Sequence, residues 1–236
     1  MNKIFRYECQ RLLWNKFFFG FLGVLLLYGW QVLEGVTLSG ISHTAPFSPW
    51  SFGDYLSRMM PLLWTGALFF LTFFTSSAAR RAAVLTDAAP FSPRRYALTR
   101  CAAAMTGTCL ITFACLAEAA VFYRWYFGWQ DWGTLILPVL TVLVPALVFS
   151  LGSGWLLGRI RPWLLYAWML FPFLCRTLPL PQAACIWNGS FFTRYPLTLD
   201  VLDPPFSLPF STAAVQTVVL GIGAMLWGIG MCWERK

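Results

Sequence analysis

A repeated alternation limits what this chain can fold into more than any other feature: apolar runs of roughly 16 to 24 residues follow one another, separated by short polar connections. The runs cover 17–33, 59–77, 101–123, 134–157, 163–178 and 211–233. Each is near the length of about 20 helical residues that crosses a hydrocarbon core. With 58% hydrophobic and 11% charged side chains in 236 residues, the chain lacks the polar surface to cover a water-soluble core. The expected fold is therefore an all-α integral membrane protein, a single domain over 1–236 with six transmembrane helices.

Residues 1–16 place Lys3, Arg6 and Gln10 on one helical face and Phe5, Cys9, Leu12 and Leu13 near the other. That division suits an amphipathic helix lying at the membrane interface, although Glu8 and Arg11 blur it. The segment 34–58 is expected as an outer loop, and 179–210, rich in proline and aromatics, as short helices dipping into the outer leaflet. Trp125, Tyr126, Trp129 and Trp132 gather where an aromatic belt belongs.

Of the 17 Lys and Arg residues, 13 fall at the ends and loops that an even number of spans puts on one side. The excess of positive charge predicts that side, with both termini, to be cytoplasmic. The formal charge of +8 thus reads as membrane topology, and no nucleic-acid partner is expected.

Seven cysteines without a CxxC pair, and one histidine, His43, in a connection, support neither a disulfide framework nor a metal site. No Gly-rich phosphate loop followed by Lys and Ser or Thr is present, and no nucleophile and base can be paired, so the chain is expected not to be an enzyme. Glu118 is the one acid within a run, either at bilayer depth or near the outer interface, where it would simply be solvated. Burying a carboxylate at bilayer depth costs about 2.5–3.5 kcal/mol, which makes Glu118 a candidate for a polar pathway or a helix-to-helix hydrogen bond. Small residues four apart (Ser150, Gly154, Gly158) and the set Gly221, Ala224 and Gly228 are candidates for close helix packing.

The segment 78–100 is the basic connection between the second and third runs. Its sequence AVLTDAAPFSPRRYALTR gives a short helix, a turn enforced by Pro90 and Pro93, and a basic entry into the next helix. On Leu85, Thr86, Pro90, Ser92, Arg94, Tyr96 and Arg100 it resembles the coupling segment of the ABC-2 type permease family. The order of an amphipathic helix, six spans and a long fifth-to-sixth connection resembles that family along the whole length.

The resemblance implies the membrane subunit of an ATP-binding cassette exporter in a bacterial cell membrane, with an amphipathic peptide, drug or lipid-like cargo. It implies cytoplasmic ATPase subunits as partners, which would hold the ATP and magnesium that this chain does not, and a second permease chain in a homodimer or heterodimer within membrane lipid. The residues it assigns to the ATPase contact are Arg80, Arg81, Val84, Leu85, Thr86, Asp87, Pro90, Phe91, Arg94, Arg95 and Tyr96. A non-transporting scaffold or immunity-type protein, or a secondary carrier, is the alternative class.

Overall fold

Where an apolar run is uninterrupted, helix forms and extends past it. The computed structural model describes residues 2–75, 93–199 and 201–232. Its main elements are α1 (Asn2–Leu13), α2 (Lys16–Gly35), α3 (Pro49–Thr75), α4 (Pro93–Phe127), α5 (Gly133–Ile160), α6 (Trp163–Met169), α7 (Phe171–Thr177), α8 (Ser190–Arg194) and α9 (Phe210–Cys232). The described residues contain no strand. Five helices, α2, α3, α4, α5 and α9, are long and apolar enough to cross a membrane, an architecture compatible with a multi-pass membrane protein.

The expected fifth span, 163–178, is not one helix. It divides at Leu170 into α6 and α7, each of seven residues. The cause is Pro172, which has no N–H to donate and whose ring crowds the carbonyl four residues back, that of Trp168. That carbonyl accepts instead from Trp64 Nε1, at 3.1 Å. A tertiary contact thus satisfies the group that proline orphans.

A second correction concerns 34–58. Residues 49–58, expected in a loop, are the first turns of α3. Pro49 opens the helix, where a missing N–H costs nothing. Asp54 and Arg58 then pair one turn apart at 2.6 Å, which lets a carboxylate that is 2% exposed sit inside the bundle. Between 179 and 209 the chain makes short helical turns, Gln182–Ala184, α8 and Pro196–Leu199.

The core is built around α3, which touches α2, α4, α5, α6, α7 and α8. Trp64, fully buried, meets the rings of Phe149, Trp168, Phe171 and Trp187 at centroid distances of 5.6–6.0 Å. Along one side, Ser150 is buried, Gly154 lies against Leu68 and Leu71, and Gly158 lies against Thr75, so this small-residue face receives α3. Helices α5 and α9 meet backbone to backbone. A Cβ on Gly152 would sit 2.1 Å from the Gly223 carbonyl oxygen. The second small-residue set takes no part in that contact: Gly221, Ala224 and Gly228 lie on the exposed side of α9, with open space around both glycines.

Candidate functional site

The two feet of the basic connection, the end of α3 and the start of α4, stand together at one end of the bundle. A small cavity of about 170 Å³ there is lined by Phe74 and Thr75 from α3, Tyr96, Ala97 and Arg100 from α4, and Trp155, Gly158 and Arg159 from α5. Helix α1 packs across the same end of α4. Its inward face carries Leu12, which is 2% exposed, and Glu8, which is 3% exposed, while Lys3, Arg6, Gln10 and Arg11 are exposed.

Glu8 is held by a network. Tyr96 OH donates to its Oε1 at 3.3 Å, and Arg100 Nη2 donates to the same hydroxyl at 2.7 Å. The guanidinium of Arg100 also lies 3.8 Å from Glu8 Oε1 and stacks over the Tyr96 ring at 4.2 Å. Phe74 presents its ring to the same cation at 5.9 Å. Arg11 approaches Glu8 Oε2 at 3.9 Å from the exposed side. A buried carboxylate is tolerable only with such partners, and here they tie α1, α3 and α4 into one unit. Beside this network burial, with the Glu8 charge adding to it, pushes the Cys9 thiol up, while a hydrogen bond with Thr106 opposes the shift.

Arg159 completes the end. Its Nη1 donates to the Gly230 carbonyl at 2.7 Å and its guanidinium lies 5.1 Å from the Trp155 ring, which anchors α9 to α5. Among the described residues, this end presents no nucleophile–base pair. Its contacts are structural: Tyr96 and Arg100 of α4 join α1 through Glu8, and Phe74 of α3 faces the Arg100 cation.

Of the residues assigned to the ATPase contact, Arg80, Arg81, Val84, Leu85, Thr86, Asp87, Pro90 and Phe91 lie outside the described residues, as does the side chain of Arg94. Arg95 is exposed on the first turn of α4. Tyr96 is half-buried and turned towards Glu8, a use that the spacing of the basic connection did not reveal. Glu118 sits in the contact between α2, α3 and α4. Its Oε2 occupies the place a side chain on Gly29 would need, 2.3 Å from that Cβ position, and the Met59 methyl lies 3.2 Å from the same point. Glycine at 29 is what lets the carboxylate reach this depth between the helices.

Glu8 and the Asp54–Arg58 pair were not singled out as functional or structural centres from the sequence. Their signal was present in spacing: Glu8 is four residues from Leu12 on the inward face, and Asp54 is four from Arg58. Comparison with models of protein families, with curated proteins and with solved structures finds no match to this chain.

Proposed function

We propose that this chain is the membrane subunit of an ATP-driven exporter, receiving force from a separate cassette ATPase through the basic connection 78–100. The observation that carries the reading is the placement of that connection's feet. One foot ends α3, the central helix of the bundle, and the other begins α4, where Glu8, Tyr96 and Arg100 clamp α1. An ATPase that docked on the connection would pull on the two helices that touch most of the bundle. A partner of this kind shifts a two-state equilibrium only by contacting the states differently, and closure of the ATPase on ATP supplies that difference.

In this reading the α1 end faces the cytoplasm, with six crossings completed by α6 and α7 together, α1 at the interface and both termini inside. The chain pairs with a second permease chain, and an amphipathic peptide, drug or lipid-like molecule is the cargo. Arg95, exposed beside the foot, and Arg94 before it provide positive charge for acidic residues at the rim of the ATPase groove.

Mild-detergent purification from the native host tests the reading. Stoichiometric recovery of a cassette ATPase is expected, and the double substitution Arg94→Glu and Arg95→Glu should abolish it. Recovery of the chain alone after cross-linking would overturn the proposal in favour of a stand-alone scaffold or carrier.

A further inference from the structure

At the opposite end of the bundle, a cavity of about 400 Å³ opens between α8, the turn Pro196–Leu199 and the start of α9. Its lining is mixed. Leu180 and Phe191 contribute apolar surface, and Arg194, Thr198, Ser211 and Thr212 contribute a cation and hydroxyls. The lining contains no carboxylate among the described residues, and Arg194 makes no ion pair there.

Thr212 is the informative residue. It is 2% exposed as a residue and lines the cavity, and its hydroxyl is not among the sealed, unpartnered side-chain groups of the described residues, which leaves it open to the cavity. A threonine further along a helix can bond the carbonyl four residues back, as the exposed Thr217 does to Ala213 at 2.9 Å. Thr212 stands in the first turn of α9, where no such helical carbonyl exists. The first backbone bond of the helix runs from Ala213 N–H to the Pro209 carbonyl at 3.0 Å, so the amides of Ser211 and Thr212 precede it and are among the orphan donors of a helix start. The exposed guanidinium of Arg194, without an ion pair among the described residues, the Thr212 hydroxyl and the positive end of a 23-residue helix therefore converge on one cavity.

An apolar strip continues from the same place. Ser211, Val218, Ile222 and Met225 share a face of α9, and Val218, Ile222 and Met225 are 44–68% exposed. A ligand that matches both parts carries a negative headgroup and an apolar tail.

From this convergence we infer that the cavity between α8 and the start of α9 binds the headgroup of an anionic amphiphile, with its tail lying along the exposed strip of α9. Arg194 supplies charge, Thr212 and the first amides of α9 supply hydrogen bonds, and Leu180 and Phe191 close the apolar side. This site stands on the cavity alone and does not require the transport reading.

Native mass spectrometry of the full chain in a neutral detergent tests it, using phosphatidylglycerol, phosphatidylcholine of the same chains, and inorganic phosphate as separate probes. Phosphatidylglycerol adducts should outnumber phosphatidylcholine adducts. Arg194→Gln should reduce them about tenfold, the equilibrium worth of one charge-assisted hydrogen bond, whereas Arg124→Gln, an exposed arginine of α4 outside the cavity, should not. Thr212→Val should reduce them about threefold, with Thr212→Ser restoring retention. Equal retention of the two lipids, or equal effects of Arg194→Gln and Arg124→Gln, would overturn the site. Adducts with inorganic phosphate but not with phosphatidylglycerol would overturn the amphiphile and leave a soluble anion in its place. Thermal unfolding of each variant in the same detergent separates lost binding from lost fold.

Discussion

Helices α3 and α9 have the same apparent qualification for crossing a membrane and opposite places in the bundle. The most apolar window of α3 is 67% buried within the chain and that of α9 only 17%, although α9 is the more apolar of the two. Burial here runs against hydropathy. The reason is that lipid and protein interior are alike to an apolar side chain, so hydrophobicity reports the surrounding solvent and does not rank the helices from inside to outside. Polar and aromatic groups do the ranking. Tyr55 and Trp64 donate to carbonyls of other elements, those of Cys115 and Trp168, and α3, which carries them, is drawn to the centre, while Asp54 and Ser57 are satisfied within α3 itself.

The largest test of this contrast is removal of an anchor from each helix. Trp64→Ala should lower stability by about 3–5 kcal/mol, as loss of a fully buried aromatic does, while Val218→Ala on α9 should stay within about 0.5 kcal/mol. Unfolding in detergent followed by tryptophan-independent circular dichroism measures both. Comparable losses would erase the distinction between the helices.

A smaller effect separates the two faces of α9 itself. Gly152→Val drives a side chain into the Gly223 carbonyl and should cost about 3 kcal/mol, the upper range for overpacking, because backbone on the facing helix cannot yield as a side chain end would. Gly221→Val, in open space, should change the stability of the isolated chain little. If Gly221→Val instead breaks a dimer seen by light scattering while leaving the monomer folded, the exposed face of α9 is a contact between chains.

Glu8→Ala leaves Arg100 with one partner fewer in a part-buried place and should cost about 1–3 kcal/mol. In a double-mutant cycle with Arg100→Gln the two losses should fall short of additive, and strict additivity would show that the 3.8 Å approach carries no coupling. The smallest expected effect is kinetic. With its pKa raised, Cys9 holds less thiolate at a given pH than an unshifted thiol, so at pH 8 it should react with maleimide more slowly than the exposed Cys232. The gap should narrow as pH rises, and Glu8→Gln should narrow it further.

Much of the helical architecture was legible because each signal was local. Runs of apolar residues gave α2, α5 and α9 to within a few residues, whereas α4 begins at Pro93, well before its run at 101, and Lys3, Arg6 and Gln10 marked the exposed side of α1. The errors came where a specific side-chain partner overrode a compositional rule. Residues 49–58 looked like loop because they hold Asp54 and Arg58, yet the two neutralise each other inside α3. Pro172 marked a break in the run 163–178, but the Trp64 indole that meets the Trp168 carbonyl there lies 104 residues away and was not legible. At the α1 end the basic connection was legible as a charged stretch, whereas the partnership of Tyr96 and Arg100 with Glu8, 88 residues away in sequence for the tyrosine, was not.

Composition and the spacing of apolar runs determined that this chain is helical and suited to lipid, since those properties sum over residues independently of what each touches. Which helix lies at the centre, which glycines meet backbone, and where the few charges find partners were decided by tertiary structure. Gly152 and Gly223 are indistinguishable from Gly221 and Gly228 until two helices are brought together, because a small residue is a site of contact only when another backbone occupies the space it leaves.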